Sequence, residues 1–210
     1  MIKKNVVKNN KEANEYALNK DTAFQKDKRS IVRGIYFFLF ICLCVLFFVK
    51  IATHRVSGVS MMPTLENKDY LFIIKGKKPS RYSLVTFAPK KHSADSYVKR
   101  ILGLPGDRIW LDKNTVYLNH QMAQSNPTPE NELQLSGSDL PDGTLKVRVT
   151  WEVASKLQGL EKIPEGQYFV LGDNRNHSND SRHLGLIDQK QIEGVVSFRY
   201  YPLNRIGLID

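Results

Sequence analysis

Three short segments carry side chains whose types and spacing could do covalent chemistry. Ser60 stands in Ser57-Gly58-Val59-Ser60-Met61-Met62-Pro63-Thr64-Leu65, where Gly58 and Pro63 favour a turn. A nucleophilic hydroxyl needs such a place: an exposed oxygen on a constrained backbone, beside a free amide for a developing oxyanion. A serine in a Gly/Pro turn is commonly no more than solvated, so its meaning depends on a base. Lys99 stands in Tyr97-Val98-Lys99-Arg100-Ile101-Leu102-Gly103. In a strand Tyr97, Lys99 and Ile101 share one face. Burial there disfavours the ammonium and lowers the lysine pKa from ~10.4 toward the 7–8 that base catalysis near neutrality requires. Arg100 points the other way and keeps its charge. The bland reading is an edge-strand lysine that deters aggregation. The third segment runs from Gly172 to Arg182 (GDNRNHSNDSR) after an apolar stretch. It reads as a strand-to-loop junction held by Asp/Arg pairs and Asn caps, or simply as a long polar turn. His177 raises a Ser/His/Asp alternative, but Ser60 lacks a Gly-x-Ser-x-Gly elbow.

The elements that must position these residues follow from the hydropathy pattern. Residues 1–30 are polar, rich in Lys and Asn and without a sustained apolar face, the composition of a disordered or weakly helical tail. Gly34 to Val49 is uncharged and as a helix covers roughly 24 Å. Adding its apolar neighbours brings it to about the ~30 Å of a bilayer core, with Arg33 and Lys50 reaching the two interfaces. A cleavable signal sequence is the competitor, but the basic region ahead of the run is too long for one. Residues 1–33 hold nine Lys/Arg against four acids. That excess predicts a cytoplasmic tail over 1–33, a single anchor over 34–52 and an extracytoplasmic domain over 53–210.

From Tyr70 onward the pattern is mainly β. Strands are predicted over Tyr70–Ile74, Ser83–Phe87, Tyr97–Gly103, Arg108–Leu111, Thr115–Leu118, Lys146–Val153, Gln167–Leu171 and Val195–Tyr201. Residues from about 120 to 165 read as a variable, partly polar insertion. The net charge of +10 is half accounted for by the tail, and no basic patch interleaved with aromatics stands out, so nucleic acid is not the expected partner. Both cysteines, Cys42 and Cys44, lie in the apolar run, which excludes a disulfide framework and a Cys-based zinc site.

Taken together and in this order, the three segments resemble bacterial type I signal peptidases, in the compact Gram-positive form. The serine motif Ser-Met-x-Pro-Thr-Leu is met by Ser60–Leu65. The lysine motif Tyr-x-Lys-Arg followed by Gly-x-Pro-Gly-Asp is met by Tyr97–Arg100 and Gly103–Asp107. Gly-Asp-Asn-x-x-x-Ser-x-Asp-Ser-Arg is met from Gly172 to Arg182. The resemblance implies a β-rich catalytic domain that removes signal peptides from exported preproteins, cutting after small residues at Ala-x-Ala sites. It implies Ser60 as nucleophile and as backbone oxyanion donor, and Lys99 as general base. Ser178 would hydrogen-bond Lys99. Asp180 and Arg182 would hold the third segment against the catalytic strands, with Asp173 in support, and Met61 would pack beside the nucleophile. It implies no metal or organic cofactor. Its partners would be secreted preproteins and the lipid bilayer of the plasma membrane, and it fixes no oligomeric state. Gly58 occupies the position where some members place a serine whose hydroxyl also binds the oxyanion, so a backbone N–H or a water would have to serve instead. The alternative is a non-catalytic accessory factor for pilus or secretion assembly on the same fold.

Overall fold

The structure is a computed structural model that describes residues 32–45, 48–89, 96–121 and 143–209. Residues 1–31 of the tail expected over 1–33, and residues 122–142 of the expected polar insertion, lie outside the described residues. The chain divides into two units, Met1–Val49 and Lys50–Asp210. The first carries α1 (Val32–Lys50), a 19-residue helix long and apolar enough to cross a membrane. At 1.5 Å per residue it reaches about 28 Å.

The second unit is mainly β, as the pattern predicts. Its larger sheet runs β1 (Ile51–Arg55), β2 (Tyr70–Ile74), β10 (Ile192–Tyr201), β3 (Leu84–Phe87), β4 (Tyr97–Gly103), β8 (Gln167–Leu171) and β9 (Ile187–Asp188). A short β11 (Gly207–Leu208) pairs with β10. A second sheet of three strands joins β5 (Arg108–Asp112), β6 (Thr115–Asn119) and β7 (Thr144–Arg148). Neighbouring strands are antiparallel throughout. Register slips on β10 at Ile192/Gly194, Val196/Phe198 and Arg199/Tyr201 bend the strand, because an extra residue on one side of a ladder increases local twist.

Alternation along the strands feeds three apolar clusters. Val85 and Phe87 of β3 join Ile101, Tyr168, Val170 and Val195 on one face. Leu84 joins Val56, Met61, Leu65, Leu71, Val98 and Val196 on the other, under the Ser60 turn. The third cluster fills the space by the small sheet with Ile109, Val116, Leu118, Val147, Phe169 and Leu171.

Three expectations need correction. The anchor was expected to continue through Ala52, but the backbone becomes extended at Ile51. Ile51 and Ala52 pair with Ile74 and Ile73, and Ala52 packs against the cluster under Ser60; apolar residues suit a membrane helix and a buried strand equally. The strand expected over Lys146–Val153 ends at Arg148, and α2 (Trp151–Leu157) follows. Thr150 caps it, its side chain accepting from the Val153 N–H, and Glu152 stands in the first turn. That cap outweighs the β-propensity of the run. Val147, Val149, Val153, Ala154, Leu157 and Ile163 are buried, so residues 144–163 are core rather than part of a polar excursion.

Candidate active site

The Ser60 turn links β1 to β2. Its base is closed by Val56 N–H donating to Asp69 O (2.8 Å) and Lys68 N–H to Val56 O (2.9 Å). Gly58 has φ +88°, a left-handed conformation that favours glycine, and its N–H donates to Asn67 Oδ1 at 3.3 Å. Met61, 1% exposed, roots the turn in the apolar cluster beneath. The Asp69 carboxylate, fully buried, holds the far side. It accepts from Glu66 N–H at 3.0 Å, from Arg199 Nη1 at 3.2 Å and from Arg205. Arg199 also donates to the Thr64 carbonyl at 3.1 Å.

Lys99 reaches this turn from β4. Its Nζ donates to Ser60 Oγ at 2.7 Å and to the Val98 carbonyl at 2.9 Å. It lies 5.3 Å from the Tyr97 ring centroid. The side chain is 3% exposed, and burial lowers its pKa to about 8 while the charges of Asp180 and Asp173 hold it up in part. Removing the ammonium from water is the larger effect. The Arg100 side chain instead meets Asp173, with Nε to Oδ1 and Nη2 to Oδ2 both at 2.9 Å.

The Gly172–Arg182 segment is held largely by its own bonds. Asp180 is fully buried and caps α3 (Ser181–Leu184). It accepts from Gly172 N–H (2.9 Å) and from Arg182 Nε (2.8 Å) and Nη2 (2.9 Å). Arg182 Nη2 also donates to the Ser178 carbonyl. Burial pushes both Asp173 and Asp180 up. The hydrogen bonds they accept outweigh it, from Arg100 and Thr64 for Asp173 and from Arg182 and Gly172 for Asp180, so both pKa values fall below the ordinary carboxylate value.

The expected residues therefore meet in part. Ser60, Met61 and Lys99 line one cleft of about 170 Å³ with His54, Val56, Ser57, Ser96, Tyr97, Val98 and Asn179. Ser178 does not bond Lys99. Its hydroxyl is buried without a partner of good hydrogen-bond geometry, though near enough to Asp180 to stabilise that charge. It lies close to the nucleophile all the same: a Cβ on Gly172 would stand 2.2 Å from Ser178 Oγ and 2.6 Å from the Ser60 carbonyl oxygen. The tie from the third segment to β4 is made by Asp173, which also accepts from Thr64 Oγ1 at 2.6 Å, while Asp180 and Arg182 brace the loop itself. Asn174 adds two bonds to the nucleophile turn, N–H to Ser60 O (3.0 Å) and Nδ2 to Val59 O (3.1 Å). His177 is exposed, with Nδ1 3.4 Å from Asn174 Oδ1, and forms no Ser/His pair. Among the described residues the Ser60 N–H donates to no protein group, and no cluster of three or more His, Cys, Asp or Glu could hold a metal ion.

Sequence reasoning missed His54, Thr64 and Asn174. The signal for His54 was its place on the inward face of β1, between Ala52 and Val56 in the alternation, in a stretch whose start was assigned to the membrane.

A curled antiparallel sheet thus carries a buried lysine whose Nζ meets the hydroxyl of a turn serine. Residues 28–201 match the family described as signal peptidase, peptidase S26. The chain is similar to signal peptidase I of Bacillus caldolyticus, at 36% identity over 87% of this chain and 97% of that one. It is likewise similar to signal peptidase IB of Staphylococcus aureus strain COL, at 36% identity over 73% and 80% of the two chains. A solved signal peptidase I of Enterococcus faecalis V583 is 28% identical, covering 57% of this chain and 97% of that one, with a TM-score of 0.34. The chain belongs to the signal peptidase S26 family and is a serine peptidase, a hydrolase.

Proposed function

We propose that this chain is a membrane-anchored endopeptidase that removes signal peptides from exported preproteins, with Ser60 and Lys99 as its catalytic pair. The observation that carries the reading is the 2.7 Å contact between Lys99 Nζ and Ser60 Oγ, made by a lysine that is 3% exposed. Once Lys99 has lost its proton, its lone pair takes the Ser60 hydroxyl proton across the same contact, and Oγ attacks the scissile carbonyl carbon. The oxyanion accepts a hydrogen bond from the Ser60 N–H. A second donor is not supplied by Gly58, whose N–H is directed at Asn67. Lys99 then gives its new proton to the leaving amine, which departs as the mature N-terminus. A water, deprotonated by Lys99, releases the acyl group and restores Ser60.

The substrate lies extended in the cleft between β1 and the first half of β4. Two features support this. β1 ends the strand order of its sheet. Tyr97 to Lys99 pair with β3 on one side, whereas the pairing with β8 begins only at Arg100. Two strand edges are thus open to main-chain hydrogen bonds. Side chains of an extended peptide alternate, so the first and third residues before the cut enter the cleft together, and its volume suits small ones such as Ala. The basic tail directs the N-terminus to the cytoplasm, and α1 holds the peptidase unit at the outer surface of the plasma membrane, where signal peptides emerge.

The test is cleavage of a preprotein with an Ala-x-Ala site by the full chain in detergent, alongside Ser60→Ala and Lys99→Ala. Cleavage by the wild type and loss of at least about a thousandfold in both variants is the expected result. A folded wild type that cleaves no preprotein would transfer the weight to the accessory-factor reading.

A further inference from the structure

The cleft has a polar side that the reaction does not use. The inward face of β1 carries Ala52 and His54, and Val56 just beyond the strand continues it; Ala52 and Val56 belong to the apolar cluster, and His54 lines the cleft. Across from it stands Ser96, whose Oγ donates to Glu193 Oε1 of β10 at 2.6 Å. Burial lowers the His54 pKa, partly offset by the Glu193 charge, so the ring is neutral at physiological pH. A neutral imidazole offers one N–H donor and one acceptor nitrogen, and no hydrogen bond within the protein engages either one among the described residues. Ser96 precedes Lys99 by three residues, about 10 Å along an extended chain. In a peptide whose scissile carbonyl sits at Ser60, the side chain of the third residue before the cut lies about 7 Å from that of the first. It therefore falls toward the His54 and Ser96 end.

We propose that His54 determines specificity in this cleft, by hydrogen-bonding a hydroxyl-bearing side chain, Ser or Thr, at the third position before the cut. The inference rests on the peptidase reading of the same cleft. An apolar wall would accept Thr and Val nearly alike, or favour Val. With His54 in the wall, Val leaves the imidazole unpaired in a partly dry site, whereas Thr of the same shape satisfies it.

Three peptide substrates that differ only at this position, with Ala, Thr or Val, test it on the full chain in detergent micelles. For the wild type kcat/KM is expected to be roughly five- to tenfold higher for Thr than for Val, the worth of one hydrogen bond. In His54→Phe the ratio is expected to fall to one or below; in His54→Gln, which keeps a donor and an acceptor, much of the preference is expected to survive. The ratio within each variant reads specificity whatever the absolute rate, and the Gln variant serves if the Phe variant does not fold. A wild-type Thr/Val ratio of one or less overturns the proposal, and so does an unchanged ratio in His54→Phe. If the wild type cleaves none of the three, the peptidase reading falls and the inference with it. Cleavage of the Ala substrate with no His54-dependent ratio overturns the inference alone.

Discussion

Arg100 and Asp173 face each other in a two-point pair, and the same carboxylate takes a third hydrogen bond from Thr64 Oγ1. One side chain thus joins the nucleophile turn, the strand that carries Lys99 and the loop after β8. Arg100 is the residue next to Lys99, so the pair fixes the pitch of β4 where the base emerges. A planar guanidinium meets a carboxylate at two points, and lysine cannot copy that geometry.

Asp173→Ala is therefore expected to destabilise the peptidase unit by roughly 3 kcal/mol, since it removes the carboxylate that faces a half-buried guanidinium. Arg100→Lys should lose much of the same stability even though the charge is kept. The folded-state pKa of Asp173 lies below its ordinary value. Its contribution is thus fully present above about pH 4 and is lost as acid protonates the carboxylate. Thermal unfolding of wild type and variants between pH 3 and 7 checks this: the gap between wild type and Asp173→Ala should narrow toward pH 3. A gap of constant size would remove the electrostatic explanation.

Lys99 fixes a second pH dependence, of the same sign but in a higher window. With its pKa at about 8, kcat/KM should rise with pH through that value as the free base accumulates. Asp180 and Asp173 raise this pKa, so Asp180→Asn should move the acid limb to lower pH. Lys99→Arg, which stays cationic, should be inactive at every pH. Stability follows the same proton. Between about 8 and 10.5 the unfolded chain binds more protons than the folded one, so stability increases as pH rises across that window. Below it, burying the ammonium costs up to about 3 kcal/mol. Lys99→Met should consequently be more stable than wild type at pH 7, with the difference shrinking by pH 10. An acid limb near 10, or a difference independent of pH, would contradict the assignment.

Gly172 is the place where the third segment presses against the nucleophile. A methyl group there meets Ser178 Oγ at 2.2 Å and the Ser60 carbonyl oxygen at 2.6 Å, so one must move. Gly172→Ala is expected to lower kcat/KM on the order of a hundredfold by displacing Ser60, and to lower Tm. Adding Ser178→Gly removes one clash and leaves the other, so Tm should recover more than the rate. Equal recovery of both would mean that Ser178, and not the Ser60 backbone, is what Gly172 accommodates.

How far the site could be read from the chain depended on the kind of physics involved. The strands Tyr70–Ile74, Tyr97–Gly103 and Gln167–Leu171 coincide with the observed ones, because alternation and β-branched residues are local properties. Pairing of Ser60 with Lys99 was foreseeable from motif order. Thr64 was not foreseen as a partner of Asp173, 109 residues away, since neither residue carries a local mark of the other. Ser178 was expected on Lys99. Its position follows from how tightly Gly172 packs against it, a matter of tenths of an ångström that spacing does not encode. α2 was missed because Val147, Val149 and Val153 read as alternating, while the cap at Thr150 was given no weight.

β10 has a consequence for the order in which the protein is made. β2 follows the Ser60 turn, β3 precedes Lys99, and the two do not pair with each other; β10 lies between them and bonds to both. Its Arg199, with Arg205 beyond it, also supplies the cations that neutralise Asp69 beneath the turn. A ribosome therefore finishes serine and base long before it makes the strand that unites them. Until Ile192–Tyr201 has been synthesised, β2 and β3 lack the strand that lies between them, and Asp69 lacks its arginine partners.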